Sequence, residues 1–404
     1  MARLWASGFE LNTATAGKEW SEGGSGGIVT DPVRSGTYAF KADVNAVSGV
    51  VSVKQQYLAS EATSRNFFRF YFRVSVLPSA EHRIAAWNDS NSGISSPSVY
   101  VTIDNSGVLR LYDEDGQITG TTNLSIDTWY RIEVLIDTTP SGANDEIRAR
   151  VDGVEFAGSA VRGISATNLP FWFIIGGNLA SEGHVATFIF DDVAINDSTG
   201  SFQNAWPGEG EIIHLRPNAA GDNEAWNDGT GTTFAEVDEV TPDDNTTHIE
   251  ENTANAITDF NLDATPAALA SDDTINVVQV GVRFASEGGS STNSTFALRI
   301  KASAGGTVEE GSTITPASTT YSTNAPAAPS NYNLTLYDLP GASTTAWTKA
   351  DLDTAQIGVK LVANDFWEAR VSTLWLLVDH KPAEAPAGYG DVFISNRDLL
   401  GVGV

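Results

Sequence analysis

The sequence contains no cysteine, and this absence excludes disulfide bonds as a source of stability. Positive charge is also scarce, because 23 Lys and Arg face 51 Asp and Glu and leave a formal net charge of −28. A surface of that sign repels phosphate backbones, so we expect no nucleic-acid partner. No apolar run approaches the roughly 18 residues that a spanning helix needs, and we expect no membrane insertion.

We also expect no secretory signal at the N-terminus. The opening residues, MARLWASGFELN, contain one arginine and no apolar stretch after it. The chain has 404 residues, which is more than one β-sandwich normally uses, and its hydrophobic content of 41% can fill real cores. We therefore expect two domains that depend on the burial of apolar side chains.

Short runs of alternating apolar and polar residues fill the N-terminal half. In FFRFYFRVSV, Phe68, Phe70 and Phe72 share one face of a predicted strand, and the residues between them share the other. Asp152-Gly153 predicts a two-residue hairpin turn between two further strands. The alternation predicts an antiparallel β-sandwich.

Four segments of this half, in this order, resemble a concanavalin A-like (laminin G-like) jelly roll. They are LWASGFELNT, RSGTYAFKADV, LSIDTWYRIEVLIDT and HVATFIFDDVAIND. The resemblance implies that residues 1–206 form one such domain, in which the first and last strands pair. It also implies a role in holding glycans or other proteins.

The pattern breaks at NAWPGEGE, where proline and glycine interrupt it. Residues 207–381 predict a second β-sandwich, in which Thr348 and Asp351 have the spacing of a capping box at one short helix. Residues 382–404 read as a Pro/Ala linker and an extended C-terminal tail that serves as a docking arm. The predicted fold class is therefore all-β, with two sandwiches and a short tail.

The phrases NEAWNDGTGTTFAEVDEV and TTAWTKADLDTAQIGVKLV resemble bacteriophage tail and virion proteins. This resemblance implies a non-enzymatic protein of the virion surface, namely a capsid decoration, a head fibre or a tail or baseplate fibre. Such a protein is made in the bacterial cytoplasm, forms homo-oligomers, and contacts other capsid or tail proteins and cell-surface glycans. Two alternatives stay open: a polysaccharide-degrading enzyme on the same scaffold, and a secreted bacterial glycan-binding protein.

Tryptophan beside asparagine and aspartate predicts the glycan site. An indole can stack on a sugar ring while neighbouring polar groups bind its hydroxyls. The predicted site residues are Trp87, Asn88, Asp89 and Trp129. We predict no catalytic residue, because the nearest acidic string, EVDEV with Glu236, Asp238 and Glu239, places its third carboxylate on the wrong strand face for a retaining glycosidase.

Two acidic strings could supply oxygen ligands to a structural calcium ion. YDEDGQ contains Asp113 and Asp115, and TPDDNTTH contains Asp243 and Asp244. Neither string has the spacing of a calcium loop, and Asp115-Gly116 equally predicts a hairpin turn. No other cofactor is expected, since the five histidines, His82, His184, His214, His248 and His380, are too far apart for a metal-binding motif.

Overall fold

The computed structural model describes residues 2–24, 26–45, 51–58, 63–89, 97–140, 144–177, 185–227, 233–288, 293–324, 332–342 and 344–383. Antiparallel strands make up most of this part of the chain, and the prediction of an all-β fold is confirmed. Within these ranges no helix is long and apolar enough to cross a membrane. Most of the predicted tail, residues 384–404, and His184 lie outside the described residues.

The first fourteen strands form two facing sheets. These strands are β1 (Arg3–Ser7), β2 (Gly27–Val29), β3 (Ala39–Val44), β4 (Val51–Gln56), β5 (Arg65–Val76), β6 (His82–Asn88), β7 (Val99–Ile103), β8 (Val108–Asp113), β9 (Gly116–Asn123), β10 (Tyr130–Asp137), β11 (Asp145–Val151), β12 (Val154–Arg162), β13 (Trp172–Gly177) and β14 (Ala186–Asp197). The eight-stranded sheet has the order β12-β11-β10-β5-β14-β3-β2, and β1 also pairs with β14. The six-stranded sheet has the order β4-β13-β6-β7-β8-β9.

Two further sheets contain only strands that follow residue 210. These strands are β15 (Glu211–Leu215), β16 (Pro217–Glu224), β17 (Ile249–Glu251), β18 (Ile257–Leu262), β19 (Thr274–Ser286), β20 (Thr295–Lys301), β21 (Val308–Glu310), β22 (Ser322–Thr323), β23 (Leu334–Leu336), β24 (Gln356–Ala363) and β25 (Ala369–Lys381). One sheet has the order β15-β25-β19-β22 with β17 and β23 added, and the other has the order β16-β18-β24-β20-β21. The predicted boundary at residue 206 thus falls between β14 and β15.

The alternation of the sequence explains the core of the first sandwich. Phe68, Phe70 and Phe72 are completely buried and point into one continuous cluster of apolar side chains. The predicted turn at Asp152-Gly153 joins β11 to β12, and both of its residues have positive φ angles, 51° and 84°. Two positive φ angles define the type I′ turn that suits the twist of a hairpin. As the resemblance implies, the first and last strands, β1 and β14, pair.

The second sandwich buries its own apolar cluster, with Val278, Val280 and Val282 of β19 inside it. The predicted capping box is present at α1 (Lys349–Leu352), where Thr348 and Asp351 exchange side-chain to backbone hydrogen bonds. The first residue of the EVDEV segment, Glu236, is the last residue of a short 3₁₀ helix (Thr233–Glu236).

Charged side chains with no solvent exposure join the two sandwiches. Asp379 of β25 accepts hydrogen bonds from Arg3 at 2.5 Å and from Arg69 at 3.1 Å, and the charged ends of all three side chains are fully buried. Asn276 also donates to Asp379, at 3.2 Å. The two arginine contacts connect residues more than 300 positions apart and place the end of the last strand beside the first.

Gly281 on β19 makes room for a large side chain of its partner strand in the same sheet, β25. A Cβ atom on Gly281 would lie 1.9 Å from the ring of Trp375, which is completely buried. We expect Gly281→Ala to lower the free energy of unfolding by about 1–3 kcal/mol, because the indole must leave its rotamer. Urea denaturation measures this loss, and Gly27→Ala, which has no atom within 4 Å of the added methyl, is the matched control. Equal stability of the two variants would contradict the expectation.

Candidate functional site

The second half of the chain covers one outer face of the first sandwich. On the eight-stranded sheet, Glu133 accepts a hydrogen bond from the amide of Gly208 at 2.8 Å, and Arg69 reaches Asp379. Trp206 lies against Phe67, with ring centroids 5.5 Å apart. The outer face of the six-stranded sheet, in contrast, carries half-buried and exposed polar and aromatic side chains. This second face is therefore the candidate site.

One residue from each of the six strands lies in a single row across this face. The register pairs each member with the next, in the order Lys54, Ile174, Ala86, Tyr100, Tyr112 and Gln117. Five strand spacings of roughly 4.8 Å make the row about 24 Å long. We call these six residues the cross-strand row. Ile174 and Ala86, in the middle of the row, are completely buried, so the accessible members are Lys54 at one end and Tyr100, Tyr112 and Gln117 at the other.

Two stacked tyrosines form the aromatic part of the row. The rings of Tyr100 and Tyr112 are 4.8 Å apart and parallel within 1°. The guanidinium of Arg83 lies 4.5 Å from the centre of the Tyr100 ring, which is the geometry of a cation–π contact. Tyr100 also packs on the buried side chains of Ala86 and Ile174. Because Arg83 and Tyr112 belong to the strands on either side of β7, they cover the two faces of the Tyr100 ring. The outer face of Tyr112 is the aromatic face of the pair that is left for a ligand.

A carboxylate stands next to these rings. Glu81 accepts hydrogen bonds from the Tyr112 hydroxyl at 2.8 Å and from Thr102 at 2.6 Å. Partial burial, and then the hydrogen bond and the charge of Glu81, raise the pKa of Tyr112 to about 12. Arg110 lies 3.9 Å from Glu81 and forms a 2.8 Å ion pair with Asp104. At neutral pH this arrangement holds a protonated phenol against a carboxylate, with arginine nearby.

Further polar and aromatic side chains lie near the end of the row that is formed by β4 and β13. Trp172 is half-buried and is paired in register with Gln56 on one side and Asn88 on the other. Lys54 forms a 3.2 Å ion pair with Glu22. The face therefore combines three aromatic rings with lysine and arginine, although the protein as a whole is strongly acidic.

The predicted glycan residues do not come together on this face. Trp87 is completely buried and stacks on Phe173, with ring centroids 5.2 Å apart. Its side chain points into the core because β6 extends through Asn88, and neighbouring residues of a strand face opposite sides. Trp87 is therefore unable to stack on a sugar. Asn88 is buried beside Trp172, Asp89 is half-buried at the end of β6, and Trp129 is half-buried just before β10.

The predicted calcium residues are engaged in other contacts. Both carboxylate oxygens of Asp113 bind the Arg162 guanidinium, and Asp115 is exposed in the adjoining turn. Asp244 pairs with Arg283 and, at 3.0 Å, with Lys18, while Asp243 accepts a hydrogen bond from a threonine. In the part of the chain that is described, no group of three or more His, Asp or Glu side chains could hold a metal ion.

The sequence did contain a signal for the residues of the row. Tyr100 and Thr102 alternate with apolar residues of β7, and Arg110 and Tyr112 do the same on β8. These two strands form a hairpin, so their polar faces lie side by side. A Trp-Asn-Asp motif in a loop does not include these residues, because they belong to strands.

Comparisons with known proteins identify a similar architecture but no family. No protein-family model and no curated protein matches the chain. Among solved structures, an endo-β-1,4-glucuronan lyase from the fungus Trichoderma reesei is 18% identical, with 48% of this chain and 95% of that chain covered and a TM-score of 0.36. The cellulose-induced protein Cip1 is 16% identical over 50% and 98% of the two chains, with a TM-score of 0.35. Alginate lyase A1-II', of polysaccharide lyase family 7, is 12% identical over 42% and 82%, with a TM-score of 0.34.

This set contradicts the expectation that the protein is non-enzymatic. Four of the similar solved structures are polysaccharide lyases by name, and the prediction of no enzyme is withdrawn. At these identities the likeness concerns the sandwich alone, so no residue is transferred from those proteins. The predicted virion role receives no support from these structures.

Proposed function

We propose that the protein is a polysaccharide-degrading enzyme that binds an acidic polysaccharide along the cross-strand row. The observation that carries the proposal is the stacked Tyr100–Tyr112 pair, with Glu81 on one ring and Arg83 on the other. Aromatic faces suit sugar rings, because the apolar side of a pyranose packs on them while its hydroxyls meet polar neighbours. Arg83, Arg110 and Lys54 favour a polymer that carries carboxylates.

The chemistry that suits these groups is elimination. Arginine beside the carboxylate of a uronic acid makes the proton on the adjacent carbon easier to remove, and Glu81 is the candidate base. Tyr112 is the candidate acid, since its hydroxyl is protonated at neutral pH and donates a 2.8 Å hydrogen bond to Glu81. The carbon–oxygen bond to the leaving sugar breaks, Tyr112 protonates that oxygen, and a carbon–carbon double bond forms. Glu81 then returns its proton to Tyr112 along their 2.8 Å hydrogen bond.

The first test offers the protein glucuronan and alginate as acidic polymers and cellulose as a neutral one. Elimination is followed by the ultraviolet absorbance of the new double bond, and total cleavage by the appearance of reducing ends. We expect both signals with an acidic polymer and neither with cellulose. Reducing ends without the absorbance would indicate hydrolysis instead, and failure to bind or cleave any acidic polymer would contradict the proposal.

The second test removes the hydroxyl group of Tyr112. Tyr112→Phe keeps the aromatic ring for stacking and removes the proton, so we expect kcat to fall by about 10²–10⁴-fold while the affinity for the polymer changes little. Tyr38→Phe is the matched control, because Tyr38 is also half-buried but lies on the segment that precedes β3. If the two variants retained equal kcat, Tyr112 would not be the acid.

A further inference from the structure

A carboxyl group with little hydrogen bonding lies between the two sandwiches. Glu19 is 2% exposed, and its hydrogen-bond partner is the neutral hydroxyl of Ser7, which lowers its pKa less than burial raises it. The neighbouring Trp20 is buried against Trp5, with ring centroids 4.6 Å apart. Burial beside a single neutral partner disfavours the charged form of a carboxyl.

A second buried carboxyl faces the same region. Glu10 is 7% exposed and accepts hydrogen bonds through Oε1 from the amides of Thr37 at 2.9 Å and Tyr38 at 3.1 Å. Burial raises the pKa of Glu10 to about 7, although these two amides lower it. Burial raises the pKa of Glu19 further, to about 8, and the charge of Glu10 adds to the effect.

Positive charge at this junction comes from the second sandwich. Arg216 is 8% exposed, and its guanidinium donates to the backbone carbonyls of Glu10 at 2.7 Å and of Glu239 at 2.6 Å. It attracts both buried carboxyls but binds neither directly. One cation can therefore offset one carboxylate, and a second carboxylate leaves an excess of negative charge.

The other titratable groups that face this cluster do not supply the missing positive charge. His214 stays neutral, because burial and then the charge of Arg216 lower its pKa well below 6.5. Asp192 raises the pKa of Glu10 through its charge. Burial raises the pKa of Glu211. Asp263 directly follows the last residue of β18, and its negative charge raises the pKa of Arg216.

Solvent can reach the junction through a cavity of about 460 Å³. Both sandwiches line it, and its polar lining residues include Glu10, Thr37, Glu211, His214 and Asp263. Glu10 lines this cavity and Glu19 does not, so water in the cavity reaches a Glu19 carboxylate only when the surrounding segments separate. A local opening at the cavity would therefore let water hydrate the buried negative charge without unfolding of either core.

We propose that the junction between the two sandwiches is a pH-sensitive contact, which is closed in acidic to neutral solution and loosens in alkaline solution when Glu10 and Glu19 both carry charge. The loosening involves the segments that meet there, 8–11 and 212–216, where a Cβ atom on Gly8 would be only 2.9 Å from the carbonyl oxygen of Ile212. This proposal is independent of the polysaccharide site.

The direction in which stability changes with pH follows from proton binding. Between the usual glutamate pKa and the raised values of about 7 and about 8, the folded protein binds protons that the unfolded chain has already released. The free energy of unfolding that these bound protons contribute is therefore fully present at low pH. It is lost as the pH rises through the pKa values of the two glutamates in the folded protein. Ionisation of Glu10 is offset by Arg216, so the main loss accompanies Glu19.

Amide hydrogen exchange at pH 6 and pH 8.5, corrected for the intrinsic rate, tests the proposal on the full chain. We expect protection of residues 8–11 and 212–216 to fall at least about tenfold in the wild type, because each pKa unit corresponds to a tenfold change in equilibrium. In Glu19→Gln the fall should stay within about twofold, and the control variant Glu309→Gln, an exposed glutamate, should behave as the wild type. Glu10→Gln is the second variant if Glu19→Gln does not fold, and a smaller fall is expected for it.

Three outcomes would overturn the proposal. One is a wild type with unchanged protection at both pH values. Another is an equal fall in Glu19→Gln, or in Glu10→Gln where that variant replaces it. The third is a fall that is as large in β11, far from the junction, as in residues 8–11, because that result indicates global destabilisation and no local opening.

Discussion

Replacement of Asp379 by asparagine is expected to lower the free energy of unfolding by about 3–5 kcal/mol, because two guanidinium groups then remain buried without a counter-charge. Arg3 and Arg69 both depend on this carboxylate, and neither side chain has any exposure through which water could compensate. Burial alone would raise the pKa of Asp379, but the charges of Arg69 and Arg3 outweigh it and hold the pKa below its usual value. The ionised Asp379 side chain therefore contributes to the free energy of unfolding above about pH 4, and this contribution is lost in stronger acid.

Urea denaturation of the wild type and of Asp379→Asn measures this loss. Glu310→Gln is the matched control, since Glu310 pairs with Lys360 at 3.1 Å on the surface and such pairs contribute about 0–1 kcal/mol. A two-step transition in Asp379→Asn would further indicate that the sandwiches separate before they unfold. A loss no greater than that of the control would contradict the assignment of this cluster as the main polar link.

Local pattern accounts for most of the fold. The alternation in Phe67–Val76, the Asp152-Gly153 turn and the capping box at Thr348 each depend on residues close in sequence, and each has the predicted structure. The pairing of Arg3 with Asp379 joins positions 376 apart and has no local signature. The 3₁₀ helix at Thr233–Glu236 also escaped prediction, because alternation over a few residues fits a strand equally well.

The candidate site was harder to predict than the fold because it depends on the register between strands. Tyr100, Tyr112 and Glu81 are unremarkable separately, and only the β7–β8 pairing stacks the two rings. A shift of one residue would turn both tyrosines toward the core. The virion location, the partner proteins, the homo-oligomer and a bound calcium ion stay predictions from the sequence.

Substitutions at Trp87 and Tyr100 distinguish a core residue from a residue of the candidate site. Trp87 pairs with Val99 and faces the core, whereas Ala86 pairs with Tyr100 one position away and faces the row. Trp87→Ala is expected to lower the free energy of unfolding by about 3–5 kcal/mol, because it removes the ring that packs on Phe68 and Phe173. The affinity of the molecules that remain folded for an acidic polysaccharide should be unchanged.

Tyr100→Ala should have the opposite result. We expect a weaker affinity for the polymer, because Tyr112 loses the ring that holds it in place, and a smaller loss of stability, because the Tyr100 ring is only half-buried. Urea denaturation gives the stability of both variants, and affinity electrophoresis in polymer-containing gels, at a temperature where each is folded, gives the binding. A Trp87→Ala variant that kept its stability but lost binding would restore the Trp-Asn-Asp segment as the glycan site and remove the main support for the cross-strand row.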